Sequence, residues 1–224
     1  MTAPDATIYT PDEVIALLSD YYGEPEWRPH GDGIAELVLT LLSQNTADSN
    51  SGHAFNRLLQ RYPTWDSIIE APTDEVIDTI RPGGLAPTKG PRLQAMLTEI
   101  KARTGKLDLS FLEDLPVEQA REWLNTLPAV GPKTAACVLL FGLGMPGLPV
   151  DTHVYRVSVR LGLVSEKLNP VKAQELLEAT IPPADHYRFH ILLIRHGRHI
   201  CSARSPACGT CPLQQHCPSA VIKA

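Results

Sequence analysis

Two stretches of this 224-residue chain carry residue types at spacings that could do chemistry. The first is a set of four cysteines, Cys201, Cys208, Cys211 and Cys217, with six, two and five residues between successive members. Three chemistries take four sulfurs. Disulfides belong to oxidising compartments and dominate small exported domains, which does not describe a chain of this length without an export signal. A structural zinc site takes two close cysteine pairs around a tetrahedral ion, and only Cys208 and Cys211 make such a pair. A 4Fe–4S cubane takes four thiolates around a wider body and suits wider, uneven spacing. The segment also holds Pro206, Gly209 and Pro212 and no helical pattern, so ligation is what would order it. The spacing favours the iron–sulfur cluster and leaves zinc open. Cys137 sits in an apolar helix and reads as a core residue.

The second stretch is Leu127-Pro128-Ala129-Val130-Gly131-Pro132-Lys133-Thr134-Ala135. It reads as helix end, tight turn, helix start. Pro128 stops one helix, Gly131 would supply an unusual backbone angle, and Pro132 suits the first position of the next. Free amides at a helix start attract anions such as phosphate. Lys133 is the only charged residue between Glu122 and Asp151. It would stand in the first turn of a helix, where the dipole disfavours a cation. One reading is a solvated lysine. The other is an amine nucleophile, which must shed its proton. The dipole favours that by only ~0.3–2 kcal/mol, so a dry setting would have to supply the rest. Asp151 opens the stretch Asp151-Thr152-His153-Val154. It reads as an N-cap, a role compatible with catalysis because a second carboxylate oxygen remains. The 17 residues between Lys133 and Asp151 allow one helix and a return loop.

Short helices must position these groups. Apolar residues recur at 3.6-residue spacing over 34–42, 55–62, 73–80, 92–100, 117–124, 132–141, 151–161, 171–181 and 185–198. Pro and Gly punctuate between them, as in Arg81-Pro82-Gly83-Gly84. Alternating strand patterns are scarce. The expected class is all-α with about ten short helices. The longest apolar candidate for a membrane span, residues 135–150, is interrupted by Gly142, Gly144, Pro146, Gly147 and Pro149, short of the ~18 residues a span needs.

Charge excludes indiscriminate binding to polyanions, since the net value is −5. The distribution is uneven. Residues 186–224 hold five basic and no acidic side chains, so they carry +5 against −10 elsewhere. A second basic run, Lys89 to Lys106, has five basic residues against Glu99. Nucleic-acid binding is expected if these patches share a face, and a solvated surface if they do not. Residues 1–26 hold six acids and no Lys or Arg, which fits neither a signal nor a transit peptide. The expected location is cytoplasmic, or nucleoid-associated in a bacterium. His186 and His190 stand four apart, a spacing able to bind metal, but read as surface or packing residues.

Taken together, Leu-Pro-Ala-Val-Gly-Pro-Lys-Thr-Ala at 127–135, Val150-Asp151-Thr152-His153, His196-Gly197-Arg198 and the cysteine spacing resemble the endonuclease III family of DNA glycosylases. The resemblance covers most of the chain, and the order of its pieces is highly specific. It implies an all-α, two-domain helix–hairpin–helix fold. A six-helix barrel (residues 25–145) would pair with an iron–sulfur domain (1–24 and 146–224), with a cleft between. It implies a bifunctional glycosylase and abasic-site lyase that removes oxidised pyrimidines from duplex DNA. Lys133 would be the nucleophile, Asp151 the supporting carboxylate, and the four cysteines the ligands of a 4Fe–4S cluster. Gln44 would fill the gap left by an everted base, and Leu85 would wedge the opposite strand. Ala129, Gly131, His153, Arg198 and Arg204 would also face the DNA. The partner would be duplex DNA with damaged bases or abasic sites, bound by a monomer away from any membrane. Two departures bear on DNA affinity more than on chemistry. Ala129 stands where relatives often have glycine, and Pro132 removes one N–H donor. Within the same fold a mismatch glycosylase is the rival reading, although such enzymes usually lack the hairpin lysine. Outside catalysis, a DNA-binding module with a structural cluster and a zinc protein both stay open.

Overall fold

The computed structural model describes residues 9–28 and 32–221. Among them all regular structure is helical. The eleven α-helices are α1 (Pro11–Tyr22), α2 (Gly33–Ser43), α3 (Asp48–Arg61), α4 (Trp65–Glu70), α5 (Thr73–Ile80), α6 (Ala86–Thr104), α7 (Val117–Asn125), α8 (Pro132–Cys137), α9 (Thr152–Arg160), α10 (Pro170–Thr180) and α11 (His186–His199). None of these helices is long and apolar enough to cross a membrane.

Short polar side chains set many of the starts. Thr10 and Glu13 close a capping box on α1, Asp32 accepts the Ala35 amide at α2, and Asn169 accepts the Lys172 amide at α10. The described residues fall into two compact units. One lies within Arg28–Met145 and contains α2 to α8. The other joins those of Met1–Trp27 and Pro146–Ala224, and contains α1 and α9 to α11.

In the first unit the apolar stripe of α2 (Leu37, Val38, Leu41, Leu42) is fully buried against Leu58, Leu93, Leu97, Leu124 and Leu139. Each such side chain contributes about 1.5–3 kcal/mol by leaving water. Helices α5 and α6 approach closely because Gly90 has no side chain. A β-carbon there would come within 2.7 Å of the Ile77 side chain. Helix α8 is α-helical for six residues and continues as a wider π turn, Val138–Gly142. In the second unit Val14 and Leu18 of α1 meet Val154 and Val157 of α9 and Phe189, Leu192 and Leu193 of α11.

Candidate functional site

The hairpin lies within the first unit. Helix α7 ends at Thr126, whose hydroxyl donates to the Trp123 carbonyl at 2.6 Å and accepts from Arg103 at 2.6 Å. Leu127 and Val130 are buried and pin the turn to the core, while Pro128, Pro132 and Lys133 face outward. The expected unusual angle at Gly131 is absent. Gly131 is extended (φ −107°, ψ 178°), a conformation open to any residue. Ala129 makes the turn instead, in the left-handed region at φ 63°. The chain reverses two residues earlier than the glycine suggests, between buried Leu127 and Val130. Lys133 stands in the first turn of α8 and is exposed. The dry setting expected for it is therefore not built from the protein's own packing.

Gln44 and Leu85 belong to the same unit. Gln44 is half-buried at the end of α2 and precedes Asn45, which is left-handed (φ 53°). Leu85 is 55 % exposed and left-handed (φ 52°). It is the N-cap of α6, and its carbonyl accepts the amides of Thr88 and Lys89. The basic run that follows does not form one open face. Lys89 is buried, Lys101 pairs with Asp66, Arg103 with Glu99 and Lys106 with Asp108.

Asp151 belongs to the second unit and is the N-cap of α9. Its Oδ1 accepts both the His153 amide (2.9 Å) and the Val154 amide (2.7 Å). Arg156, one turn on, has Nη2 3.1 Å from Nδ1 of His153 and donates to the carbonyls of Gly197 (2.8 Å) and Cys201 (3.0 Å). Because a guanidinium only donates, the His153 Nδ1 accepts and its Nε2 carries the hydrogen. Arg198 and Arg204 are exposed. His186 and His190 are buried and bond the carbonyls of Ile181 and Pro149, which makes them packing residues.

The four cysteines line one pocket of this unit with Arg160, His196 and the apolar Val157 and Leu161. Burial, with the neighbouring cysteines adding to it, pushes the Cys211 thiol up to about 11, and burial raises Cys217 as well. Four thiolates converging on one half-buried pocket would repel one another and need a cationic body among them. A 4Fe–4S body, which takes four thiolates, fits a pocket lined by all four cysteines. His196 is 1 % exposed, and burial pushes it down to about 4. It bridges Tyr22 Oη (3.2 Å, at Nδ1) and Cys211 Sγ (3.5 Å, at Nε2). Arg160 donates to Cys201 Sγ at 3.2 Å and to the carbonyls of Ser202 and Ala203.

Sequence reasoning gave Lys89 and His196 no role of their own and passed over Arg156 and Arg160. A signal existed for Arg156 and Arg160, since with His153 they recur at three- and four-residue spacing on one face of α9.

Comparison with known proteins bears on both units. Residues 38–183 match the family model described as HhH-GPD superfamily base excision DNA repair protein. Residues 201–217 match the iron–sulfur binding domain of endonuclease III. The chain is 38 % identical over 186 residues to an Arabidopsis thaliana protein provisionally named a DNA glycosylase, covering 83 % of this chain and 62 % of that one. It is 36 % identical over 185 residues to endonuclease III of Synechocystis, covering 82 % and 80 %. A solved structure described as a trapped endonuclease III–DNA covalent intermediate superposes with a TM-score of 0.80 at 28 % identity, over 95 % of this chain and 98 % of that one.

Proposed function

Because this chain belongs to the HhH-GPD superfamily of base excision DNA repair proteins, within its endonuclease III branch, we propose that it excises oxidised pyrimidines from duplex DNA and then nicks the strand at the abasic site. The observation that carries this reading is the exposed amine of Lys133, set in the first turn of α8 by a turn whose buried residues fix it. No other charged side chain lies between Glu122 and Asp151. The relative's trapped covalent complex with DNA supports a covalent route.

The chemistry follows from the groups. As the bond from C1′ to the damaged base breaks, positive charge develops on the sugar, and the Asp151 carboxylate stabilises it. The Lys133 Nζ bonds to C1′, the ring oxygen leaves C1′, and a Schiff base forms. Removal of a proton from C2′ then expels the 3′ phosphate by β-elimination. Lys133 is exposed in the DNA-free chain, so the removal of water around it has to come from the bound duplex. Eversion of the base costs a few kcal/mol. Gln44 fills the vacated stack and Leu85 wedges the opposite strand. His153, Ala129, Gly131, Arg198 and Arg204 hold the backbone. Cys201, Cys208, Cys211 and Cys217 would hold the 4Fe–4S cluster, whose ligation would order residues 201–217.

Borohydride trapping tests the proposal. Incubation with an abasic-site duplex and reductant is expected to give a covalent adduct that Lys133→Ala abolishes. An intact protein that binds the duplex but yields no adduct would instead be a DNA-binding module.

A further inference from the structure

Lys89 departs furthest from what its sequence context predicts. It opens a basic run and would be a solvent-facing cation, yet it is only 3 % exposed. Its Nζ donates to the carbonyl of Leu42 at 2.6 Å and to that of Gly83 at 2.9 Å. Leu42 lies in the last turn of α2, two residues before Gln44. Gly83 ends the 3₁₀ turn Arg81–Gly83, two residues before Leu85.

Both acceptors make physical sense. The last carbonyls of a helix lack partners within it and carry partial negative charge, so a cation there is stabilised. Lys89 reaches from the first turns of α6 to satisfy one such carbonyl of α2, and takes a turn carbonyl with its second hydrogen. The neighbouring residue, Gly90, seats this part of α6 against Ile77. The two segments so joined are adjacent, since a β-carbon on Gly84 would lie 3.7 Å from the Thr46 hydroxyl. Each also holds a non-glycine residue in the left-handed region, Asn45 and Leu85. Such conformations persist only where the surroundings hold them.

We propose that Lys89 is a positioning residue, a brace that fixes the separation of the Gln44 and Leu85 segments so that both side chains enter one duplex at one everted nucleotide. This rests on the reading of Gln44 and Leu85 as inserting residues. Lys89 itself does not touch DNA. Its ammonium releases no counterion on binding, unlike a lysine that meets a phosphate.

The test is a binding cycle on a duplex containing a tetrahydrofuran abasic analogue, read by fluorescence anisotropy at several salt concentrations. The variants are Lys89→Met, the pair Gln44→Ala with Leu85→Ala, and all three together. Lys89→Met is expected to weaken binding about tenfold in the parent but less than about twofold in the paired-alanine background, the mark of groups acting through one another. Its salt slope stays that of the parent. Equal losses in both backgrounds would make Lys89 a support of the fold alone. A slope reduced by about one would make it a phosphate contact, and no loss would remove the brace. If the paired-alanine protein binds as tightly as the parent, the insertion reading itself fails, and that is seen without any Lys89 variant. Where Lys89→Met does not fold by circular dichroism, Lys89→Gln, which keeps a donor for one carbonyl, is expected to show a smaller loss with the same dependence on background.

Discussion

Gly197 lies against His153 so closely that a β-carbon on the glycine would sit 2.9 Å from the His153 β-carbon. The atom it would meet is fixed to backbone, so the side chain cannot swing away and α9 and α11 would have to part. The Gly197 carbonyl also accepts from Arg156, which holds the His153 ring. Gly197→Ala is expected to destabilise the protein by about 1–3 kcal/mol, the range for overpacked contacts, and to weaken binding to abasic duplex. Urea unfolding with an unchanged m-value and a lowered midpoint would register the first effect. A midpoint equal to the parent's would mean that the helices yield freely.

Asp151 is the N-cap of α9 and the carboxylate proposed for catalysis, and substitution separates the two. As N-cap it uses Oδ1 for two amides, and asparagine caps about as well as aspartate. Asp151→Asn is therefore expected to unfold within about 0.5 kcal/mol of the parent, yet to lose base release by roughly 100-fold or more, since the charge proposed to stabilise the sugar is gone. Asp151→Ala would lose activity and also about 0.5–2 kcal/mol of stability. Comparable activity in Asp151→Asn and the parent would assign this carboxylate to the cap alone.

These relationships differ in how far the sequence discloses them. Helix α5 is legible to the residue, and α7 to within one residue at its end, because Val76, Thr79 and Ile80, or Ala120 and Leu124, repeat at helical spacing and are buried. Helix α4, six residues long, is too short for periodicity, but Thr64 and Ser67 close a capping box that marks it. Helix α1 carries the same kind of mark in Thr10 and Glu13. Lys133, Asp151 and the cysteines are legible through residue type and spacing. The burial of Lys89 is not, because its partners are the carbonyls of Leu42 and Gly83, groups that every residue carries. Nor is the turn at Ala129, since Gly131, two residues on, is the residue that suggests a positive φ.

Ala129 supplies a direct measurement of that strain. An alanine in the left-handed region carries about 1–2 kcal/mol of unfavourable energy, offset in part by the greater chain entropy glycine loses on folding. Ala129→Gly is expected to raise stability by roughly 0.5–1 kcal/mol. The methyl also stands at the turn proposed to meet phosphate, so affinity for abasic duplex is expected to rise as well. A less stable Ala129→Gly protein would show that the turn is not strained.

Arg198 and Arg204 are exposed and belong to the acid-free segment from His186 onward. Phosphate contacts release counterions and carry no base information. Neutralising each to glutamine is expected to weaken binding equally for duplexes of unrelated sequence and to lower the log–log salt slope by about 0.9 per residue. Arg195, half-buried on α11, should behave alike if it reaches the backbone. A loss confined to one sequence would instead place these arginines at base edges.

The cluster's contribution to folding follows from how little else holds its segment. Among residues 202–221 only Leu213 is buried, and the one regular element is a single 3₁₀ turn, Cys208–Thr210. Beyond that leucine the protein's own hold on the segment is the partly buried cysteines and the Arg160 bonds to the Ser202 and Ala203 carbonyls, little packing against the entropy of ordering twenty residues. Ligation must supply the difference. Cys208→Ser is expected to purify without the broad visible absorption of an iron–sulfur protein and to be cleaved readily by protease within 202–221. The unit within Arg28–Met145 has its own core and should survive that digestion. A colourless, zinc-loaded parent protein purified without oxygen would overturn the assignment. So would a Cys208→Ser protein that keeps both its colour and its protease resistance.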